Sequence, residues 1–227
     1  MYTKLSAEFD YPSLRKDVLS VYKQIKDSAY GTEYEILANR NQSITVSEEN
    51  SNDWTDGIAG KTFINKTRSD SSAGLQTQLI RSQNEVVNEK LYIHPLLQIK
   101  GTYLEQFINL FPNCYRWRIS ILPPRTTLSI HVDGQDHMNA WQGGSAVLDH
   151  RIHFPIKTNN RCFLMGWPDN FTSVKDSGEM ISLNIANFKA GQSYLLDTSK
   201  IHCATNFSDE ERIHLIASCS NEFVTAS

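Results

Sequence analysis

From residue 114 onward, the sequence consists of short runs rich in β-branched and aromatic residues, separated by Pro, Gly, Asn or Asp. Such runs are typical of β-strands, and no stretch between them has helical periodicity. The predicted strands are 115–122, 127–132, 151–156, 161–165, 181–188, 193–196 and 213–218. Many short strands without intervening helices favour a mainly β fold, a sandwich or a jelly roll. One long loop, residues 134–149, interrupts the series.

The first half is less regular. Residues 11–28 predict a helix, because apolar residues recur there at helical spacing: Leu14, Val18, Val21, Tyr22 and Ile25. Residues 91–110 carry a broken helical pattern that ends at Pro112. We therefore expect a helical or mixed N-terminal region over residues 1–113 that packs on a β core over residues 114–227, together forming one structural domain.

The composition limits the kinds of partner that the protein is expected to bind. The 227 residues carry a net charge of −3, which gives no general attraction to nucleic acid or to an anionic membrane. The residues after Met1 lack the apolar segment typical of a signal peptide, so none is expected, and no apolar run is long enough to cross a bilayer. The cysteines do not form a Cys-x-x-Cys pair, so reduced packing thiols and a cytoplasmic location are expected: Cys114, Cys162, Cys203 and Cys219. The sequence does not indicate an oligomeric state.

Candidate metal ligands lie around residue 131. In a strand, His131 and Asp133 would point to the same face. A His-x-Asp pair alone is more often structural, but His202 follows an apolar strand and could supply a third ligand. Two histidines and one carboxylate that leave coordination positions open are the ligand set of non-heme Fe(II) sites that react with O₂.

Arg212 begins the next apolar strand after His202. A hairpin would return it near the metal and into the barrel, where a buried cation needs an anion. That anion is either an Asp or Glu of the chain or the carboxylate of a bound cosubstrate, and the nearby iron site favours the cosubstrate. His214 alternates with Ile213 and Leu215 and fits an ordinary strand residue.

Taken together, four segments resemble the aspartyl/asparaginyl β-hydroxylase family of Fe(II)- and 2-oxoglutarate-dependent oxygenases, and they are similar to bacterial proline hydroxylases. The segments are 118–123, 131–133, 151–156 and 188–215. The resemblance implies a double-stranded β-helix, that is, a cupin-like jelly roll with N-terminal helices packed outside. It also implies Fe(II), 2-oxoglutarate and O₂ as the reacting partners of the substrate.

The resemblance implies roles for individual residues. Three match the iron ligands: His131, Asp133 and His202. Four match residues that hold 2-oxoglutarate: Arg212 and Ser120 at its distal carboxylate, and Arg151 and His153 near its chelating end. From the residues alone, Arg151 also fits a surface position and His153 also fits a packed core.

Two features depart from the family pattern. The animal peptidyl hydroxylases have glycine where this chain has Asp133, and the complete ligand set here favours hydroxylation over halogenation. The loop 134–150 is longer than in the peptide hydroxylases and is a candidate lid. Its Trp141 either packs on substrate or anchors the loop.

These patterns predict a dioxygenase that hydroxylates an unactivated C–H bond of a small amino-acid-like substrate and releases succinate and CO₂. Arg116, Arg118 and Trp141 are candidate substrate residues, although the two arginines also fit a solvated strand face. Three other functions remain open: a peptidyl Asp/Asn-type β-hydroxylase, a metal-binding cupin that does not use 2-oxoglutarate, and a structural jelly roll without metal.

Overall fold

The computed structural model describes residues 2–29, 34–36, 40–54, 56, 63–65, 89–128, 130, 150–167 and 183–220. In chain order, its helices and strands are β1 (Tyr2–Leu5), α1 (Tyr11–Ala29), β2 (Tyr34–Ile36), β3 (Arg40–Ser43), β4 (Thr45–Val46), β5 (Phe63–Asn65), β6 (His94–Pro95), α2 (Tyr103–Asn109), β7 (Cys114–Leu122), β8 (Thr126–Thr127), β9 (His150–Lys157), β10 (Cys162–Gly166), β11 (Asn184–Ala186), β12 (Ser193–Asp197), β13 (His202–Asn206) and β14 (Arg212–Cys219). The chain divides into two compact units. We call Met1–Glu8 with Leu122–Ser227 the β unit, and Phe9–Ile121 the mixed unit.

The β unit contains two antiparallel sheets. One has the order β1-β12-β9-β14 and the other the order β11-β10-β13-β8. After β8, the chain passes repeatedly from one sheet to the other, which winds the strands into a double-stranded β-helix. The predicted mainly β, jelly-roll fold is therefore confirmed.

Side chains from both sheets form one core in the β unit. Alternate residues of a strand share a face, so Tyr194 and Leu196 of β12 meet Leu164 and Ala204 from the other sheet. The remaining members of this cluster are Leu122, Ala186 and Phe188. The ring of Phe188 stacks on Tyr194, with centroids 4.0 Å apart and planes 3° apart. A fully buried leucine contributes about 1.5–3 kcal/mol, so this layer fixes the spacing of the strands that carry the site.

The first helix of the mixed unit follows its prediction. Before α1, the Asp10 carboxylate accepts hydrogen bonds from the Ser13 amide at 3.1 Å and from the Ser13 hydroxyl at 2.6 Å. These bonds cap the helix and lower the pKa of Asp10. The predicted apolar face is buried: Leu14, Val18, Val21, Tyr22 and Ile25. Within the described ranges, no helix is long and apolar enough to cross a membrane.

The broken pattern of residues 91–110 corresponds to short pieces. A 3₁₀ turn at Leu97–Ile99 precedes α2, whose N-cap Thr102 accepts a hydrogen bond from the Glu105 amide at 3.3 Å. Phe107 of α2 packs in the middle of an aromatic cluster, and its ring contacts Phe9, Phe111 and Trp117. Trp117 lies on β7, which pairs antiparallel with β3. The unit also contains the antiparallel pairs β2·β5 and β4·β6.

Several strands differ from their predicted bounds. β11 is shorter than the predicted strand 181–188. Just beyond its end, the Asn187 side-chain amide donates to the carbonyls of Asn159 and Cys162 at 2.7 and 2.6 Å. β8 contains only the first residue of the predicted strand 127–132, preceded by Thr126. Most of the rest of that prediction lies outside the described residues. Neither β1 nor β13 was predicted.

Candidate active site

The predicted site residues fall into three groups. His131, Asp133, Trp141 and the loop 134–149 lie outside the described residues. Four others lie in the β unit: Arg151 and His153 on β9, His202 on β13 and Arg212 on β14. Three lie on β7: Arg116, Arg118 and Ser120.

His202 is the described member of the predicted metal-ligand set. It begins β13 and is buried, and its Nδ1 lies 2.8 Å from the carbonyl oxygen of Lys200. A carbonyl only accepts, so Nδ1 must carry the proton and the lone pair must be on Nε2. A histidine that donates from one ring nitrogen to a backbone carbonyl and keeps the other for a metal is typical of metal sites. His202 therefore fits a metal ligand.

The turn before His202 is fixed by Asp197. The Asp197 carboxylate accepts from the Ser199 amide at 3.0 Å and from the Ser199 hydroxyl. Partial burial raises the pKa of Asp197, but the Ser199 hydrogen bonds and the electrostatic influence of His150 and Lys200 together lower it. The carboxylate is used within the turn, which presents the Lys200 carbonyl to His202.

Across the ladder, Gly166 pairs with His202. It adds no side chain at that position of the sheet. No three His, Cys, Asp or Glu side chains within the described part of the chain are grouped as metal ligands, and two of the three predicted ligands lie outside that part.

Arg212 is a buried cation. Its exposed fraction is 7%, and burial lowers its pKa to about 10, with the nearby Cys162 acting in the opposite direction. The side chain is thus still charged at neutral pH. Its Nε is buried without a hydrogen-bond partner, and no described carboxylate forms an ion pair with it. The alternative of a salt bridge to an Asp or Glu of the chain therefore has no support among the described residues.

Two histidines surround Arg212. His214 Nδ1 lies 3.3 Å from Nη2 of Arg212 and 3.4 Å from Nδ1 of His153. Burial, and then the charges of Arg212 and His153, hold the pKa of His214 well below its ordinary value. The sequence pattern predicted an ordinary strand residue at His214, and its contact with Arg212 was missed. The signal was its spacing of two residues from Arg212, which puts both side chains on one side of a strand.

One aromatic ring, that of Phe188, lies beside both histidines. Phe188 lies nearly parallel to the His214 ring, with centroids 6.3 Å apart, and edge-on to the His153 ring at 5.9 Å. Both histidines are buried. An apolar ring beside these groups lowers the local polarity, which strengthens the interaction between the buried charge and any anion that binds.

On β9, Arg151 and His153 share one face, as the Arg-x-His spacing predicted. In the ladder, His153 pairs with Tyr194 on one side and with Ile216 on the other. Arg151 is partly buried.

On β7, the arginines do not form a solvated face. Arg116 and Arg118 are each 5% exposed, and Ser120 is buried as well. Arg116 has a φ of 51°, a left-handed conformation that costs a non-glycine residue about 1–2 kcal/mol. After this irregularity, Arg118 and Ser120 alternate normally and share a face. The solvated-face alternative for these arginines is therefore wrong.

Asn206 at the end of β13 was also missed. Its side-chain nitrogen donates to the carbonyls of Leu122, Pro123 and Glu210 at 3.0, 2.9 and 2.7 Å. Its oxygen accepts from the Ser208 amide at 3.0 Å and from the Ser208 hydroxyl at 2.6 Å, and the Cys162 thiol lies 3.3 Å away. This cluster, the Asn206 knot, closes the turn that leads into β14.

The chain is similar to known proteins in sequence and in fold. A family model described as aspartyl/asparaginyl beta-hydroxylase matches residues 102–222, just over half of the chain. No curated protein matches the sequence. Among solved structures, the chain is similar to the non-heme alpha ketoglutarate dependent carbocyclase SnoK from nogalamycin biosynthesis, with a TM-score of 0.49, 11% identity, and coverage of 96% of this chain and 79% of that chain.

Two further structures are similar to the chain. For AviO1 from Streptomyces viridochromogenes Tue57, the TM-score is 0.47 at 9% identity, covering 97% of this chain and 89% of that chain. For a prolyl-4-hydroxylase from Pseudomonas putida, the TM-score is 0.42 at 11% identity, covering 97% of this chain and 92% of that chain.

Proposed function

The chain belongs to the aspartyl/asparaginyl β-hydroxylase family, and on that premise we propose that it hydroxylates an unactivated C–H bond of a small amino-acid-like substrate. Membership makes it an oxygenase, and the family implies iron and 2-oxoglutarate. One observation in this chain itself supports the binding of an anionic cosubstrate. Arg212 is a buried cation whose Nε has no partner among the described residues. Because an uncompensated buried charge is costly, the protein gains stability when an anion binds there.

We propose that His131, Asp133 and His202 hold the iron. The tautomer of His202 supports this, since its hydrogen bond to Lys200 leaves the lone pair on Nε2. When bound, iron and 2-oxoglutarate would activate O₂ to give the oxidant that cleaves the C–H bond, with one oxygen atom going to the hydroxylated product, the other to succinate, and CO₂ released.

The protein's own contribution is binding, orientation and exclusion of water. In our proposal, Arg212 holds the distal carboxylate of 2-oxoglutarate, while Arg151 and His153 lie near its chelating end. A guanidinium matches a carboxylate with two parallel hydrogen bonds, which fixes direction as well as charge. The apolar ring of Phe188 beside His153 and His214 supports the exclusion of water from this end of the site.

For the substrate, we propose that Arg118 or Arg116 binds a carboxylate and that Trp141 covers the bound molecule. The burial of both arginines supports this choice, because buried cations favour anionic partners. An amino acid offers such a carboxylate next to C–H bonds that need a strong oxidant. We also propose a cytoplasmic location, which the four buried thiols support.

The test is succinate formation by the purified protein, reconstituted anaerobically with Fe(II), then aerated with 2-oxoglutarate and a panel of amino acids. We expect turnover that His131→Ala and Arg212→Ala abolish and that Arg125→Ala, a change at an exposed arginine, leaves intact. Binding of 2-oxoglutarate without turnover on amino acids would favour a peptidyl Asp/Asn substrate. No binding of 2-oxoglutarate would overturn the proposal and favour a metal-binding cupin.

A further inference from the structure

Arg212 and His214 form a buried pair on β14. The exposed fractions of the two residues are 7% and 3%. The guanidinium Nη2 lies 3.3 Å from Nδ1 of the imidazole, at the long end of the hydrogen-bond range. The two side chains are therefore in direct contact inside the β unit.

The contact determines where the proton of His214 lies. A guanidinium has only donors, so Nδ1 of His214 must accept and its lone pair must be there. His153 Nδ1 lies 3.4 Å from the same atom, at the long end of the range for a second donor. Burial and the neighbouring charges keep the pKa of His214 well below its ordinary value, so the ring is neutral at physiological pH. A neutral ring with the lone pair on Nδ1 carries its proton on Nε2.

The donors that result lack acceptors. His214 Nε2 and Arg212 Nε are both buried, and neither has a hydrogen-bond partner within the described part of the chain. Buried N–H groups are nearly always paired in native structures. Two such donors, one of them on a charged group, call for an anion with several lone pairs. A carboxylate has about four acceptor positions.

We propose that His214 binds the cosubstrate directly, donating its Nε2–H to the same carboxylate of 2-oxoglutarate that Arg212 neutralises. This inference rests on the proposed function. In this arrangement the two residues have different tasks. Arg212 supplies the charge, whereas His214 supplies a neutral donor that adds orientation without a second buried charge. The ring of Phe188 lies nearly parallel to the imidazole, with centroids 6.3 Å apart.

The main alternative is that His214 only positions Arg212 through Nδ1. Two substitutions separate the two roles, because the side-chain amides of Asn and Gln reach to about the positions of Nδ1 and Nε2 of histidine, respectively. His214→Asn keeps an acceptor for Arg212 but has no donor at the Nε2 position. His214→Gln keeps a donor there but removes the acceptor at Nδ1.

The experiment is calorimetric titration of the full-length protein loaded with Mn(II), with 2-oxoglutarate and with glutarate, which has no keto group. A hydrogen bond to a charged group corresponds to about a tenfold to hundredfold change in affinity. We expect His214→Asn to weaken binding of both ligands by that amount and His214→Gln to bind more tightly than His214→Asn. Arg125→Ala is the control.

Wild-type affinity in His214→Asn, or binding by His214→Gln no tighter than by His214→Asn, would overturn the inference and leave the proposed function intact. If the wild-type protein binds neither ligand, the proposed function fails and the inference fails with it.

A second measurement does not depend on how the variants fold. Long-range ¹H–¹⁵N spectra of the wild-type imidazoles report which nitrogen is protonated. We expect the Nε2–H tautomer for His214 and a shift of its Nε2–H resonance when glutarate is added. An Nδ1–H tautomer, or a resonance that glutarate leaves unchanged, would contradict the inference.

Discussion

Two buried polar clusters of the β unit, the Asn206 knot and the Arg212–His214 pair, are built on opposite plans. The Asn206 side chain donates to three backbone carbonyls and accepts from Ser208, so protein groups use both ends of its amide. Arg212 and His214 are as deeply buried, yet Arg212 Nε and His214 Nε2 lack partners among the described residues.

The difference separates structure from binding. A satisfied buried polar group stabilises one backbone conformation, here the turn that leads to Arg212. An unsatisfied pair of donors costs stability in the free protein and regains it when a ligand with acceptors binds. Both clusters are polar and buried, so these two properties do not distinguish their roles, whereas their hydrogen-bond partners do.

The largest expected effect is that of Arg212→Met. Without the charge, the affinity for 2-oxoglutarate should fall by at least about a hundredfold, since a broken buried ion pair costs about 3 kcal/mol or more. The free protein should keep or gain stability, because a pKa lowered to about 10 corresponds to a charge-burial cost of about 3 kcal/mol. Calorimetry and urea unfolding check the two halves. A loss of stability above about 2 kcal/mol would make Arg212 structural, and the comparison would fail.

Asn206→Ala should have the reverse profile. It leaves the carbonyls of Leu122, Pro123 and Glu210 without their donor in a buried position, so the free energy of unfolding should fall by about 2–4 kcal/mol. Urea unfolding measures the loss, and titration with 2-oxoglutarate at low temperature should show a smaller effect on affinity than Arg212→Met. A change in stability below about 1 kcal/mol would remove the knot's structural role.

The pH dependence of stability should show His214. Its pKa is lowered on folding, so below pH of about 6.5 the unfolded chain takes up a proton that the folded chain does not. Stability should therefore fall with decreasing pH, by up to about 1.4 kcal/mol per pH unit. His214→Asn should reduce this slope between about pH 6.5 and 5. The carboxylate of Asp197, whose pKa is lowered, weakens the fold only at pH below about 4. Equal slopes in wild type and variant would contradict a neutral His214 in the folded protein.

The smallest effect is expected at the surface. Arg125 pairs with Asp209 through Nε at 2.8 Å, but both side chains are mostly exposed. Exposed ion pairs contribute about 0–1 kcal/mol. Arg125→Ala should change the unfolding free energy by at most about 0.5 kcal/mol in urea melts and should leave 2-oxoglutarate binding unchanged. A larger effect of Arg125→Ala on stability or binding would show that an exposed arginine matters as much as the buried Arg212, which would contradict the role given to burial.

Much of the fold was predictable because the strands of the β unit have strong local signals. β9, β12 and β14 are short apolar runs between turn residues, and their predicted bounds lie within a residue or two of the observed ones. β13 was missed because His202–Asn206 contains no bulky apolar residue. It becomes a strand through pairing with β10 and β8, a tertiary effect that local sequence does not carry.

The site was predictable in part. Charge in an apolar strand indicated Arg212. His214 and Asn206 were missed for opposite reasons. His214 lies in a strand that a packed core alone would explain, whereas Asn206 lies in a polar stretch that reads as a loop. In both cases the function depends on hydrogen-bond partners, which spacing does not reveal.

The Asn206 knot also restricts how the protein can be produced. Asn206, Phe207 and Ser208 form an Asn-x-Ser acceptor for N-linked glycans. In a secretory pathway, an oligosaccharide added to the side-chain nitrogen before folding would occupy the atom that must reach three backbone carbonyls. Once folded, the fully buried amide would be out of reach of the transferase. Secreted expression would therefore divide the product into glycosylated chains that cannot close the turn and unmodified chains that fold, which makes a cytosolic host the suitable source.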